Sequence, residues 1–279
     1  MTLPGPEPPA MSFRGSTRPV PFSGSAHRAF EDACRSMGLD PSNVWVGGYV
    51  DYQWNHLGPI LDAYRIDLRN REVLEFGCNV GASAIVLAHL GARVHAIDVS
   101  SRLVALARAN AERYGAASIE FLCVRDTRSL PFDTHRFDLV YCGSVLEYIE
   151  SSHRVAVQRE IDRIVRPGGI ILIGGTSSRL WPREIHSGKW LVNYLPRAID
   201  RVWGASRARG ISPLAVRYGF GRHYDNLDAK TRGRAFLESR LRMNSSPLAV
   251  RLLVSLAARL GVGPGLLAHS ISCVLVKRV

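Results

Sequence analysis

Apolar and polar positions follow two rhythms along this chain, and the change between them divides it. Between residues 26 and 66 apolar positions recur three and four apart: Ala29, Phe30, Ala33 and Met37 share one stripe, Ile60, Leu61 and Tyr64 another. That spacing predicts helices, separated by the aromatic-rich VGGYVDYQWNHLGP. From Glu72 short apolar runs take over. VLEFG reads as a strand, GCNVGAS as a turn, and AIVLAHL as the opening of a helix that stops at Gly91. ARVHAIDVS is a second strand, SRLVALARANAERYG a helix ended by Gly115, SIEFLCVRD a third strand and FDLVYCGSV a fourth. HRVAVQREIDRIV is helical and closed by the PGG of Pro167 to Gly169, and IILIGG is a fifth strand.

Strands that alternate with helices of this length pair in parallel through right-handed crossovers, which predicts an α/β fold with a doubly wound, mostly parallel sheet. After Gly175 the alternation lapses for about ninety residues, until HSISCVLVKRV returns as a strand suited to a sheet edge. The expected organisation is a mobile tail (1–25), an N-terminal helical cap (26–68) and one domain (69–279). A late insertion (176–265) precedes the domain's last strand. The tail is rich in Pro, Gly and Ser, a composition that does not repay the cost of ordering a backbone.

Composition narrows the class. With 279 residues, 46% hydrophobic and 22% charged, the chain can bury a large core and is neither disordered nor built around a bilayer helix, which needs roughly 18 uninterrupted apolar residues. MTLPGPEPPAMSFRG lacks a basic start followed by an apolar run, so a cytoplasmic location is expected, with Met11 as an alternative start. The five cysteines are scattered without a CxxC pair, which argues against a zinc site or a disulfide framework and predicts buried thiols; no metal is expected. The formal charge of +12 suits an acidic partner, whether nucleic acid, a phosphorylated substrate or an anionic membrane. Only three of the 36 basic residues are lysines, a skew that coding bias can produce without any selection for binding, so charge by itself decides little.

The turn after the first strand carries the most chemistry. Gly77 leaves the backbone open to a ligand, Asn79 tolerates the left-handed conformation and Gly81 permits close packing where the next helix starts. Glu75 at the turn entry would repel a pyrophosphate but pair with a ligand ammonium. Asp98, ending the second strand, stands where a carboxylate accepts both hydroxyls of a ribose. Asp126, closing the third, could meet an adenine amino group.

These features resemble the class I S-adenosylmethionine-dependent methyltransferases, in particular the small-molecule group described as type 11. The E/D-x-G-x-G-x-x-G signature stands here as Glu75, Gly77, Asn79 and Gly81, with Asn in place of the middle Gly, and Asp98 fills the second acidic position. Asp126 with LPF at 130–132, FDLVYCGSVLEYI and REIDRIVRPGGIILI follow the family text, so the likeness covers residues 73–175. It implies a Rossmann-like fold and an S-adenosylmethionine pocket at the carboxyl ends of the first strands. Glu75 would serve the methionine amino group, Gly77, Cys78, Asn79 and Gly81 the methionine and ribose, Asp98 and Val99 the ribose hydroxyls, and Asp126 and Thr127 the adenine, with Arg125 beside it. Ser144 would face the methyl group, walled by Val145 and Leu146. Many relatives carry a histidine near here, whereas this chain has Glu147 and Tyr148.

Methyl transfer requires alignment of nucleophile, carbon and sulfur, and a hydroxyl acceptor also needs a base. The candidates are His186, His223, Tyr148, Glu184 and Asp225. His186 is preferred because its segment directly follows the fifth strand. The expected acceptor is a small molecule or glycolipid hydroxyl. The alternatives are carbon or nitrogen methylation and a non-catalytic RNA- or membrane-binding protein. The lack of an N-P-P-Y or D-P-P-Y sequence after the fourth strand argues against a DNA-base substrate. Tyr49, Tyr52 and Trp54 form either a lid over the cofactor or plain core packing. The insertion carries Trp181, Trp190, Trp203 and a segment in which Leu248, Leu252, Leu253, Leu256 and Leu260 fall near helical spacing, with Arg251 and Arg259 on the other side. That helix either packs on the fold, the commoner fate, or makes a peripheral contact with the inner membrane face.

Overall fold

The computed structural model describes residues 16–196 and 209–279. Two helices, α1 (Ser25–Ser36) and α2 (Tyr49–Ala63), precede the alternating region. There follow β1 (Glu72–Phe76), α3 (Ala82–His89), β2 (Arg93–Asp98), α4 (Ser101–Arg113), β3 (Glu120–Cys123), β4 (Phe137–Gly143), α5 (Arg154–Ile164) and β5 (Val165–Ser177). The last part holds α6 (Pro213–Gly219), β6 (Tyr224–Asn226), α7 (Leu227–Lys230), α8 (Arg234–Arg242), α9 (Pro247–Arg259), α10 (Pro264–Leu267) and β7 (Ser270–Lys277).

Among the described residues the strands form one seven-stranded sheet in the order β3-β2-β1-β4-β5-β7-β6. The first five are parallel, and β7 runs antiparallel to both β5 and β6. Successive side chains of a strand point to opposite faces, so each central strand feeds two cores. Val73, Val94, Leu139, Tyr141 and Leu172 pack with the helices α1 to α4. Leu74, Ile97, Val140, Cys142 and Ile171 pack with α5, α6 and α10. The sheet is therefore covered on both sides, as parallel sheets require.

Four expectations are corrected. First, β7 is not an edge: it lies between β5 and the three-residue β6, which comes from inside the presumed insertion. Second, PGG does not separate α5 from β5. The strand begins at Val165, and a register shift between the pairs Phe137↔Val165 and Leu139↔Ile170 absorbs Pro167 to Gly169 as a bulge. Third, the described part of the expected tail is tied down: Phe22 N donates to Arg113 O at 2.6 Å, His89 Nε2 meets Thr17 O at 2.8 Å, and Arg18 pairs with Asp51. Fourth, Cys123 is exposed, while Cys34, Cys78, Cys142 and Cys273 are buried. Trp203 lies outside the described residues. Among the described residues no helix is long and apolar enough to cross a membrane.

Candidate active site

Strand β1 delivers the chain into a turn whose backbone only special residues accept. Gly77 has φ +83°, Asn79 +48° and Gly81 +75°. Gly77 N and Cys78 N both donate to Ile97 O, at 2.9 and 2.8 Å, which pins the turn to β2. A Cβ on Gly77 would lie 2.5 Å from Val145 Cγ2, and one on Gly81 3.0 Å from Ala107 Cβ. Gly77 thus lets the loop after β4 approach the turn, and Gly81 lets α3 start against α4.

Asp98, at the carboxyl end of β2, accepts from Asn79 N through Oδ2 and from Ser100 N through Oδ1, both at 3.0 Å. Its carboxylate joins the two loops and keeps further lone pairs on each oxygen. Glu75 is buried beneath the turn, where burial pushes its carboxyl up to about 8 against hydrogen bonds from Ser83 and Ala84 N. Its Oε2 has no protein partner. Tyr49 of α2 lies close enough to feel Glu75 and Tyr148, and burial raises its phenol to about 12. The aromatic set therefore splits: Tyr49 and Tyr52 stack beside the cradle at 5.6 Å between rings, whereas Trp54 is core.

The other cofactor candidates sit on the same rim with distinct surroundings. Cys78 is a buried thiol pushed up by that burial, so the turn uses its backbone. Val99 is exposed beside Asp98. Asp126 is exposed, and Arg128 takes both its oxygens, at 2.8 and 2.9 Å, drawing the carboxyl down to about 2. Thr127 between them is half-buried. Ser144, at φ +48°, donates its hydroxyl to Gly175 O at 3.0 Å, so that group locks β4 to β5. Leu146 is fully buried in the core.

At the carboxyl ends of β4 and β5 the chain brings together a pair the sequence did not reveal. His186 Nε2 donates to Glu147 Oε1 at 2.8 Å, and the same oxygen accepts from Ser177 N, the last residue of β5, at 3.1 Å. The Glu147 side chain is completely buried and its Oε2 has no protein partner, while the imidazole is 26% exposed. That bond raises the His186 pKa above the ordinary histidine value, against partial burial. Burial pushes Glu184 up, but hydrogen bonds from His186 N, from Ser187 and from Ser177 outweigh it and leave its pKa lowered. Glu184 therefore orders the loop rather than acting as a base. Tyr148 is exposed, its ring 5.6 Å from the imidazole. The surrounding loop exposes Leu180, Trp181, Trp190, Leu191 and Tyr194.

His223 does not belong to this site. It precedes β6, whose Tyr224 pairs with Lys277, and Lys277 Nζ reaches Val165 O at the start of β5. His223 there bonds Asp162 at 2.9 Å, on the order of 30 Å from the carboxyl end of the strand by the rise per residue. Asp225 shares that end and pairs with Lys230 and Arg278. No group of three or more His, Cys, Asp or Glu side chains among the described residues is arranged to hold a metal ion.

Comparison with known proteins agrees with this geometry. Residues 73–169 match the family model described as a methyltransferase domain. A ubiquinone biosynthesis O-methyltransferase from Neisseria meningitidis serogroup C is 28% identical over 134 residues, covering 47% of this chain and 56% of the relative. The chain thus spans little more than half the length of that relative. One of the same name from Xanthomonas oryzae pv. oryzae is 27% identical over 188 residues, covering 63% and 74%. Among solved structures, the MccD protein superposes with a TM-score of 0.50 at 15% identity over 79% of this chain and 96% of that one, a likeness of fold. With the cradle after β1, the acid ending β2 and the family match over the same strands, residues 73–169 form a methyltransferase domain of the class I S-adenosylmethionine-dependent kind.

Proposed function

We propose that this chain transfers a methyl group from S-adenosylmethionine to a hydroxyl oxygen of a small-molecule or glycolipid acceptor, with His186 as the base. The cradle suits that cofactor on its own chemistry. Glu75 Oε2, buried and without a protein partner, matches a ligand ammonium, and Asp98 has lone pairs left for two ribose hydroxyls. The left-handed Gly77 and Asn79 hold the backbone close against such a ligand. When bound, the cofactor supplies an electrophilic methyl on a sulfonium whose own charge drives departure.

The observation that carries the oxygen-specific reading is the Glu147–His186 pair. A carboxylate only accepts, so Nε2 keeps its hydrogen and Nδ1 the lone pair. Glu147 sets that tautomer and balances the positive charge when the imidazole takes the acceptor's proton. A neutral amine attacks through its own lone pair before it loses a proton, so nitrogen methylation has less need of this pair than methylation of a hydroxyl. The exposed Leu180, Trp181, Trp190 and Leu191 in the loop that carries His186 favour an acceptor with an apolar or aromatic body. The names of the curated relatives lend the O-methyl reading modest support at 27–28% identity.

The test is incubation of cell extracts with methyl-labelled cofactor, followed by mass analysis of the labelled product. A labelled hydroxyl that requires His186 bears the proposal out. A labelled carbon or nitrogen, or turnover unaffected by His186→Ala, removes it.

A further inference from the structure

Helix α9 presents an apolar face that nothing in the described fold covers. Val250 and Ala257 are buried, and Leu253 and Val254 pack against Phe236 and Ala268. Opposite them Leu248, Leu252, Leu256 and Leu260 are 69%, 62%, 51% and 59% exposed, at a strict four-residue spacing. Helical spacing suggested a core-facing helix, and here the leucines that define the stripe face out. At 100° per residue they span a third of the circumference, and Arg251 and Arg259, both exposed, fall on or beside that stripe rather than behind it. Leu241 of the adjoining α8 is also exposed.

The charge that α9 itself carries has one sign: it holds Arg251 and Arg259 and no Asp or Glu. An apolar stripe bordered by arginines matches an anionic lipid surface, with leucines among the upper acyl chains and guanidinium groups drawn up to the phosphates. A second copy of the chain fits less well. Pairing two α9 faces would bring like-charged arginines together, with no acid on either helix to balance them. We infer that the exposed face of α9 docks the protein peripherally on an anionic bilayer, by the Leu248/Leu252/Leu256/Leu260 stripe and the arginines beside it. This inference is independent of which atom the enzyme methylates.

The test uses the full chain with vesicles of phosphatidylcholine alone and of phosphatidylcholine with phosphatidylglycerol, read by co-sedimentation. Binding is expected to the anionic vesicles and to weaken with added salt. Leu252→Gln with Leu256→Gln should abolish it, and Arg251→Gln and Arg259→Gln should each weaken it about fivefold, the worth of one arginine near such a surface. These positions are exposed, so unchanged melting temperatures should accompany the losses. The inference is overturned if the wild type stays in solution with anionic vesicles, or if the leucine variant binds as well as the wild type. It is equally overturned if sedimentation equilibrium reveals a dimer that the leucine variant dissolves, since the face would then belong to a second copy.

Discussion

Glu147 and His186 are 39 residues apart in sequence and 2.8 Å apart in space, joined across the carboxyl ends of two neighbouring parallel strands. A buried carboxylate on Nε2 raises the imidazole's affinity for a proton, so the base form accumulates at higher pH than in an ordinary histidine. The rate of an oxygen methylation is therefore expected to climb with pH through an inflection above the ordinary histidine value. Glu147→Gln should move the inflection to lower pH while lowering the plateau, and His186→Ala should cost about 10²–10⁴ in kcat. Rate measurements from pH 5 to 9 on the three proteins check this. An inflection that stays in place in Glu147→Gln speaks against the pair.

Asp98 ties the two loops of the cradle and, in the proposed function, takes the ribose. Calorimetric titration of S-adenosylhomocysteine should find Asp98→Ala weaker by about 1.5–3 kcal/mol, the range for hydrogen bonds to a charged group. Equal affinity in the two proteins would place the ribose elsewhere.

Burial holds the Glu75 carboxyl at about 8, so without ligand it is protonated at neutral pH. An ammonium brought against it would draw the value down. Binding of S-adenosylhomocysteine at pH 7 should then release a proton and tighten as pH rises from 6 toward 8. Titrations in buffers of different ionisation enthalpy measure the proton directly, and Glu75→Gln should eliminate it. Stability follows the same group. The folded protein holds this proton more tightly than the unfolded chain, so its contribution is full at pH values below the unfolded value of 4.5 and is lost progressively as pH rises through the folded value of about 8. Melting of the ligand-free protein should show that slope, and Glu75→Gln should flatten it.

Gly77 combines a left-handed backbone with a neighbour 2.5 Å from where a Cβ would stand. Gly77→Ala is expected to cost about 1–3 kcal/mol in denaturant unfolding. Adding Val145→Ala should recover only part, because the backbone strain of about 1–2 kcal/mol remains.

The strands β1 to β5 were legible because each is a short apolar run punctuated by Gly, and Asp98 because it ends one of them. His186 was legible from its position just past β5. Glu147 was visible as an acid after β4, but its partner was not, since a side-chain pairing across loops leaves no trace in local spacing. β6 is three residues long, too short to show a period, so its insertion outside β7 went unseen. His223 misled for the same reason: only the antiparallel course of β7 and its pairing with β6 reveal which end of the sheet it occupies. Arg128, two residues from Asp126, was overlooked as the group that takes that carboxylate.

Glu147 is anchored to the backbone of Ser177, the final residue of β5, while the aromatic and apolar side chains around His186 follow in the loop beyond it. The proposed base thus shares its loop with the exposed apolar side chains, while the carboxylate that orients it is fixed to the sheet. The side chains of Leu180, Trp190 and Leu191 take no part in the hydrogen bonds that hold that carboxylate. A graft of this loop that keeps His186 is accordingly expected to change which acceptors react while leaving the buried carboxylate in place.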